Sequence, residues 1–147
     1  MIDDSGLVRL QAKIKRLERN DIALKTAAQT TTQQMAARIF PNAGSKDKNN
    51  RPLGTYTKSY LKTRKKKNWS NKKINLQFTG QMEGDWSLLT LRRGGRTVYG
   101  SGFKNDANAS KADWVEGTYK TTIFEPTQQE LNIFHKVYER KLNEALR

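Results

Sequence analysis

An apolar stripe over residues 7–39 constrains this chain more than any other feature. Leu7, Leu10, Ile14, Leu17, Leu24, Ala28, Met35 and Ile39 fall almost entirely on alternating three- and four-residue steps, and Asp21 and Thr31 occupy the two steps that break the run. That spacing lines up one face of an α-helix. A helix of this span reaches about 50 Å at roughly 1.5 Å per residue. A compact chain of 147 residues has a radius of gyration near ~15 Å and a diameter of only about 40 Å. Either the helix bends, or part of it lies against something outside its own domain. The second alternative points towards assembly and away from catalysis.

The helix is expected to begin after Ser5, whose hydroxyl suits the exposed N–H groups of a first turn, with Asp3 and Asp4 at the positive end of its dipole. Thr30, Thr31 and Thr32 weaken it locally, because β-branched side chains lose rotamer freedom in a helix, and mark the place for a bend. Pro41 ends it.

Charge is the second constraint. The net charge is +14, and its distribution matters more than its size. Residues 41–73 hold Lys46, Lys48, Arg51, Lys58, Lys62, Arg64, Lys65, Lys66, Lys67, Lys72 and Lys73 against Asp47 alone, so this segment carries +10 of the total. From Ile74 onward ten basic residues face nine acidic ones. A basic arm on a balanced body is an electrostatic handle for phosphates or for an acidic protein surface. Residues 41–55 contain nearly every turn-forming type and predict a long, mobile loop. Tyr56, Tyr60 and Leu61 then suggest one short helical turn before the basic run reaches Trp69.

From Ile74 the period changes to two. Ile74, Leu76 and Phe78 alternate with polar residues as in a half-buried strand. Residues 86–92 and 96–103 read as two more strands, joined at Gly94-Gly95, where a tight turn needs positive φ. Residues 104–113 read as a polar loop, and Trp114-Val115 with residues 119–124 as a further strand. Trp69, Trp86 and Trp114 are read as core anchors. In the strand opened by Trp86, Leu88 shares the tryptophan's face while Leu89 and Leu91 lie on the other. Such a sheet is covered by a helix on one side and by a neighbouring subunit on the other. Thr127 followed by Glu130 forms a capping box after Pro126, and Leu131, Phe134, Val137, Leu142 and Ala145 follow at helical spacing.

The expected fold class is therefore α+β: a long N-terminal helix, a small antiparallel sheet of three to five strands, and a C-terminal helix packed on the sheet. The chain reads as a single domain over 1–147, with a helix over 1–40, a basic loop over 41–73, the sheet over 74–125 and the last helix over 126–147.

Catalysis finds little support. The chain has no cysteine and one histidine, His135, within the last helix. The usual nucleophile–base pairs are thus missing, although Ser–Lys arrangements survive the argument. Glu83 and Asp85 share a turn with nothing to mark them as a catalytic or metal pair. Gly100-Ser101-Gly102 lacks the third glycine and the following helix of a dinucleotide site. No cofactor, metal or small-molecule substrate is expected. Nor is a membrane: no stretch approaches the roughly 20 apolar residues that span a bilayer, and residues 1–4 lack the pattern of a secretory leader. The residues expected to meet other subunits are Leu7, Leu10, Ile14, Leu17, Leu24, Leu89 and Leu91. Those expected to meet phosphate or an acidic partner are Lys62, Arg64, Lys65, Lys66, Lys67, Lys72 and Lys73, with Tyr60 and Trp69 available for stacking on bases.

The order of motifs carries a resemblance. Arg38-Ile39-Phe40 closes a long helix and runs into a glycine-containing loop. Leu76-Gln77-Phe78-Thr79-Gly80-Gln81-Met82 precedes a hairpin. Ala112-Asp113-Trp114-Val115-Glu116-Gly117 comes before Ile123-Phe124 and the closing helix. Over residues 35–140 this resembles the virion-morphogenesis, or tail-completion, family of tailed bacteriophages. The resemblance implies a structural subunit without catalytic residues, located in the virion after assembly in the host cytoplasm. It would sit in a homo-oligomeric ring of the head–tail neck, between portal-proximal proteins and the tail, around the channel through which the genome passes. Non-specific contact of the basic segment with genomic DNA fits that position. The alternative is a sequence-independent nucleic-acid-binding module that uses residues 62–73.

Overall fold

The computed structural model describes residues 4–41, 43–67, 73–76 and 80–145. Helix α1 runs unbroken over Asp4–Ile39, about 54 Å at roughly 1.5 Å per residue. It is already helical at Asp4, so Ser5 lies in the first turn and is not the cap; Asp3 lies outside the described residues. The threonine cluster stays within the helix. The hydroxyls of Thr26, Thr30, Thr31 and Thr32 each donate to the carbonyl four residues back, at 2.8–3.0 Å, which satisfies them without leaving the helix.

The segment after α1 is an ordered turn and not the mobile loop that its composition predicts. Asp47, 6% exposed, accepts the amides of Asn49 and Arg51 at 2.9 Å and the Thr121 hydroxyl at 2.8 Å. The Ser45 hydroxyl donates to the Ile39 carbonyl, and the Lys48 amide to the Thr122 carbonyl at 2.8 Å. Helix α2, Lys58–Lys66, is longer than the single turn expected and takes in most of the basic run. Thr57 caps it, accepting from the Tyr60 amide.

Two strands form among the described residues, fewer than the three to five expected. A short helix α3, Gln81–Asp85, leads into β1, Trp86–Arg93, which pairs antiparallel with β2, Arg96–Phe103. Gly94 and Gly95 turn the hairpin at φ +56° and +75°, the positive values that a two-residue turn of this hand requires. The strand expected from Ile74 is absent over the described residues 74–76. Ile74, Asn75 and Leu76 are all buried, so the side chains do not alternate. Their backbone is held between neighbours: the Ser45 amide donates to the Ile74 carbonyl at 2.6 Å and the Ile74 amide to the Gly54 carbonyl at 3.0 Å. Phe78 lies outside the described residues.

The expected loop over 104–113 and the strand at Trp114-Val115 are instead one helix, α4, Asp106–Tyr119. The Asn105 side chain caps it by accepting from the Ala107 amide at 2.8 Å. Residues 119–124 also form no strand. The amides of Ile123 and Phe124, which a ladder would use, donate to one Glu116 carboxylate oxygen at 2.8 and 3.0 Å. Helix α5, Gln128–Ala145, starts at the expected capping box, with the Thr127 amide donating to Glu130 at 2.8 Å and the Glu130 amide to the Thr127 hydroxyl at 3.1 Å. Its main partner is α1, not the sheet.

The core gathers Met35, Ile39, Phe40, Tyr56, Ile74, Leu76, Met82, Trp86, Ala112, Val115 and Ile123. Trp86 sits at its centre. Its ring contacts Phe40, Phe103 and Phe124 with centroids 5.1–6.3 Å apart, and its indole N–H donates to the Thr32 carbonyl at 3.1 Å. The hairpin is thereby fastened to the C-terminal half of α1, and so is Ser101, whose hydroxyl meets that of Thr32.

Candidate functional site

Among the described residues no group of three or more His, Cys, Asp or Glu side chains is placed to hold a metal ion. No helix among them is long and apolar enough to cross a membrane. Asp85, weighed as half of a carboxylate pair, has a structural partner set: its carboxylate accepts the Asn105 amide at 2.9 Å and the Asn108 side-chain amide at 3.0 Å. These two bonds hold its pKa below the ordinary value, despite some opposing desolvation. The ring of His135 is exposed and sits edge-on to Phe134 at 5.6 Å. Gly100-Ser101-Gly102 lies within β2, and Gly102 leaves the space that the Leu89 side chain fills, since a Cβ there would come within 2.7 Å of Leu89 Cδ1.

Three surfaces stand out instead. The first is the N-terminal part of α1. The stripe that buries Ala28, Met35 and Ile39 at 0–7% exposure is bare at its other end: Leu7 is 55% exposed, Leu10 53%, Ile14 46% and Leu17 61%. Every residue from Gly6 to Arg19 is exposed, and Leu24, half-buried, marks the entry into the body. Two hydrogen bonds fix that boundary. Tyr138 of α5 donates to Asn20, and Tyr99 of β2 donates to Asp21 at 2.8 Å, which raises the tyrosine's pKa. The first four turns thus project beyond the domain as a rod.

The second surface is the hairpin face turned away from Thr32. Direct cross-strand pairing places Leu91 opposite Val98 and Leu89 opposite Gly100. Leu91 and Val98 are exposed while Leu89 is half-buried.

The third surface joins α2 to α4. Lys62, Lys65, Lys66, Lys67 and Lys73 are exposed; Lys72 and Trp69 lie outside the described residues. Arg64 does not join the lysines. It is 2% exposed, with its guanidinium 4.3 Å from the Tyr56 ring centroid and 5.9 Å from that of Tyr60, a cation–π arrangement. Burial raises the pKa of Tyr56 and of Tyr119 nearby. Beside them opens a groove of about 400 Å³ lined by Tyr56, Tyr60, Ile74, Trp114 and Tyr119 among others. Trp114, expected in the core, is 68% exposed: α4 turns Asn108, Ala112 and Val115 inward, and the tryptophan lies off that face.

Sequence reasoning missed the group that holds the frame. Arg38, 9% exposed, donates to both Glu130 oxygens at 2.8 and 3.3 Å and to the carbonyls of Lys46, Ile123 and Glu125 at 2.8–3.0 Å. Its only sequence signal is a basic residue beside the core positions Met35 and Ile39. Comparison with protein-family models, curated proteins and solved structures finds no match to this chain.

Proposed function

We propose that this protein is a non-enzymatic assembly subunit, a component of the neck or tail terminus of a tailed phage that forms a ring between portal-proximal proteins and the tail. One observation carries the assembly part of this reading: an apolar helix face runs from core to solvent, and none of the described residues of its own domain covers its outer four turns. Contiguous exposed apolar surface of this kind marks interaction sites. The outer hairpin face adds a second uncovered patch. The phage setting rests on the order of motifs quoted above. Mixed with capsid and tail constituents, the purified chain forms rings or joins them, read by electron microscopy and native mass spectrometry. Leu10→Ala with Ile14→Ala and Leu17→Ala abolishes this while moving monomer stability by less than about 1 kcal/mol, because side chains already in water lose little on truncation. Unfolding of that variant would make the stripe ordinary core and end the proposal.

A second reading has its own observation. Helix α2 carries exposed lysines and also gives Tyr60 to a groove that includes the exposed Trp114; cations and aromatic faces on one element suit sequence-independent nucleic-acid contact.

A further inference from the structure

We infer that the projecting rod of α1 pairs with the same rod of a second copy, antiparallel and two-fold symmetric, masking the stripe until a virion component displaces it. The inference rests on the assembly reading and names the first occupant of that surface. The stripe is a mirror image of itself about position 12. Leu7 and Leu17 lie five residues to either side of it, and Leu10 and Ile14 two. Two antiparallel copies therefore meet in four layers, Leu7 on Leu17, Leu10 on Ile14 and the two symmetry mates. Their three- and four-residue spacing is that of a coiled-coil seam.

Charge permits this partner. At 100° per residue, Arg9, Lys15, Arg16 and Arg19 fall on the side of the helix away from the stripe, and only Lys13 and Glu18 flank it, one on each edge. The cations thus stay in water when two copies meet.

The body selects the direction. At Asp21 the stripe's own face receives Tyr99 from β2, so a parallel partner would run into the hairpin one turn beyond Leu17. In an antiparallel pair the described part of the partner helix, which begins at Asp4, stops short of that contact. Asp4 comes opposite Asn20, where Tyr138 already marks the edge of the domain. Two stripes of this length bury roughly half of a standard interface of about 1,600 Å², which makes the pair weak and exchanging. Lys13 of each copy approaches its mate near the two-fold axis, so screening strengthens the pair.

The chain has no cysteine, so engineered ones report orientation directly. Under mild oxidation, a mixture of Leu7→Cys and Leu17→Cys chains gives a covalent dimer joined between the two positions. Neither variant alone does, and Ala12→Cys, off the stripe, gives the collision background. In sedimentation equilibrium the unmodified chain dimerises more tightly as salt rises from about 0.1 M to about 1 M, where the screening length falls from about 10 Å to about 3 Å. Ile14→Glu weakens the dimer by roughly tenfold or more, with unchanged helix content. A chain that stays monomeric up to millimolar concentration, cross-linking of Leu7→Cys or Leu17→Cys with itself, or a dimer loosened by salt would overturn the pairing. Dimers that never engage capsid or tail constituents would instead remove the neck reading and leave the pairing standing. Stripe variants that block docking of a strictly monomeric chain would do the reverse.

Discussion

Arg38 spends its guanidinium on five hydrogen bonds, two to Glu130 and three to main-chain carbonyls at the far ends of two segments. Glu130 in turn accepts the Thr127 amide that begins α5. Removing one partner of such a buried pair leaves the other charge uncompensated. Arg38→Ala is expected to cost about 3–5 kcal/mol, measured by chemical denaturation. Arg38→Lys recovers only part of that, because a point charge does not reproduce the planar fork. Asp47 behaves differently. Burial by itself raises its pKa, but the Arg51 amide, the Thr121 hydroxyl and the Asn49 amide outweigh it and hold the carboxyl below the ordinary 3.8. A lowered folded-state pKa means that the contribution is fully present above about pH 4 and is lost as pH falls through the folded value. Thermal melts between about pH 2 and pH 6 should show this acid loss in the native chain and a shallower one in Asp47→Asn.

Helix α1 shows how one element can serve two masters. From Ala23 to Ile39 it is packed by α5 and the hairpin, while from Gly6 to Arg19 it is solvated all round. Nucleation of the free part is covered by the anchored part, since propagation from an existing helix fixes one residue per new hydrogen bond. Amide exchange should therefore be graded along one continuous helix. At concentrations low enough to keep the chain monomeric, amides of residues 10–19 are expected to exchange faster than those of Ala27–Ile39 by a factor on the order of 10² or more, because local opening there exposes no buried surface. Protection of residues 10–19 that rises with concentration reports the paired rod, and uniform protection in the dilute monomer would show that the rod is covered by its own domain. Helix α4 holds a lesson about sequence signals. Asn105 followed by Asp106 and the spaced alanines 107, 109 and 112 is a helix start, but Trp114 and Val115 suggest a strand, and the cap outweighs them.

At the scale of the whole molecule, exposed charge and exposed apolar surface lie side by side on the rod and the hairpin, while α2 is mainly cationic. Cations on α2 and on the side of the rod away from its stripe face solvent, and Arg93 and Arg96 share the outer hairpin face with Leu91 and Val98. The nucleic-acid reading is tested at this scale, because backbone contact depends on the summed charge. If it holds, affinity for any DNA falls steeply with salt, and Lys62→Gln with Lys65→Gln, Lys66→Gln and Lys67→Gln reduces the slope of log affinity against log salt by roughly 3 to 4 for duplex DNA, about 0.9 per phosphate contact. Arg64 belongs outside that set, since its guanidinium is stacked beneath Tyr56. Fluorescence anisotropy at several salt concentrations reads the slope, and no binding at low salt removes this reading.

Sequence by itself determined whatever has a local cause. The 3.6-residue period placed α1, positive φ at Gly94-Gly95 placed the hairpin, and the reciprocal bonds of Thr127 and Glu130 placed the start of α5, so the α+β class followed. Each of these depends on residues within a turn or two of one another. Tertiary structure alone decided what depends on distant partners: that the chain at Ile74 is pinned to Ser45 and Gly54 instead of joining a sheet, that Glu116 takes the amides of residues 123 and 124, that α5 lies along α1, and that Arg38 reaches Glu130 across 92 positions. It also decided the fate of side chains that composition cannot sort, drawing Arg64 inward and leaving Trp114 out. The physical reason is common to all of them: a buried amide or charge goes to whichever partner the fold brings within about 3 Å, and no periodicity along the chain records that distance.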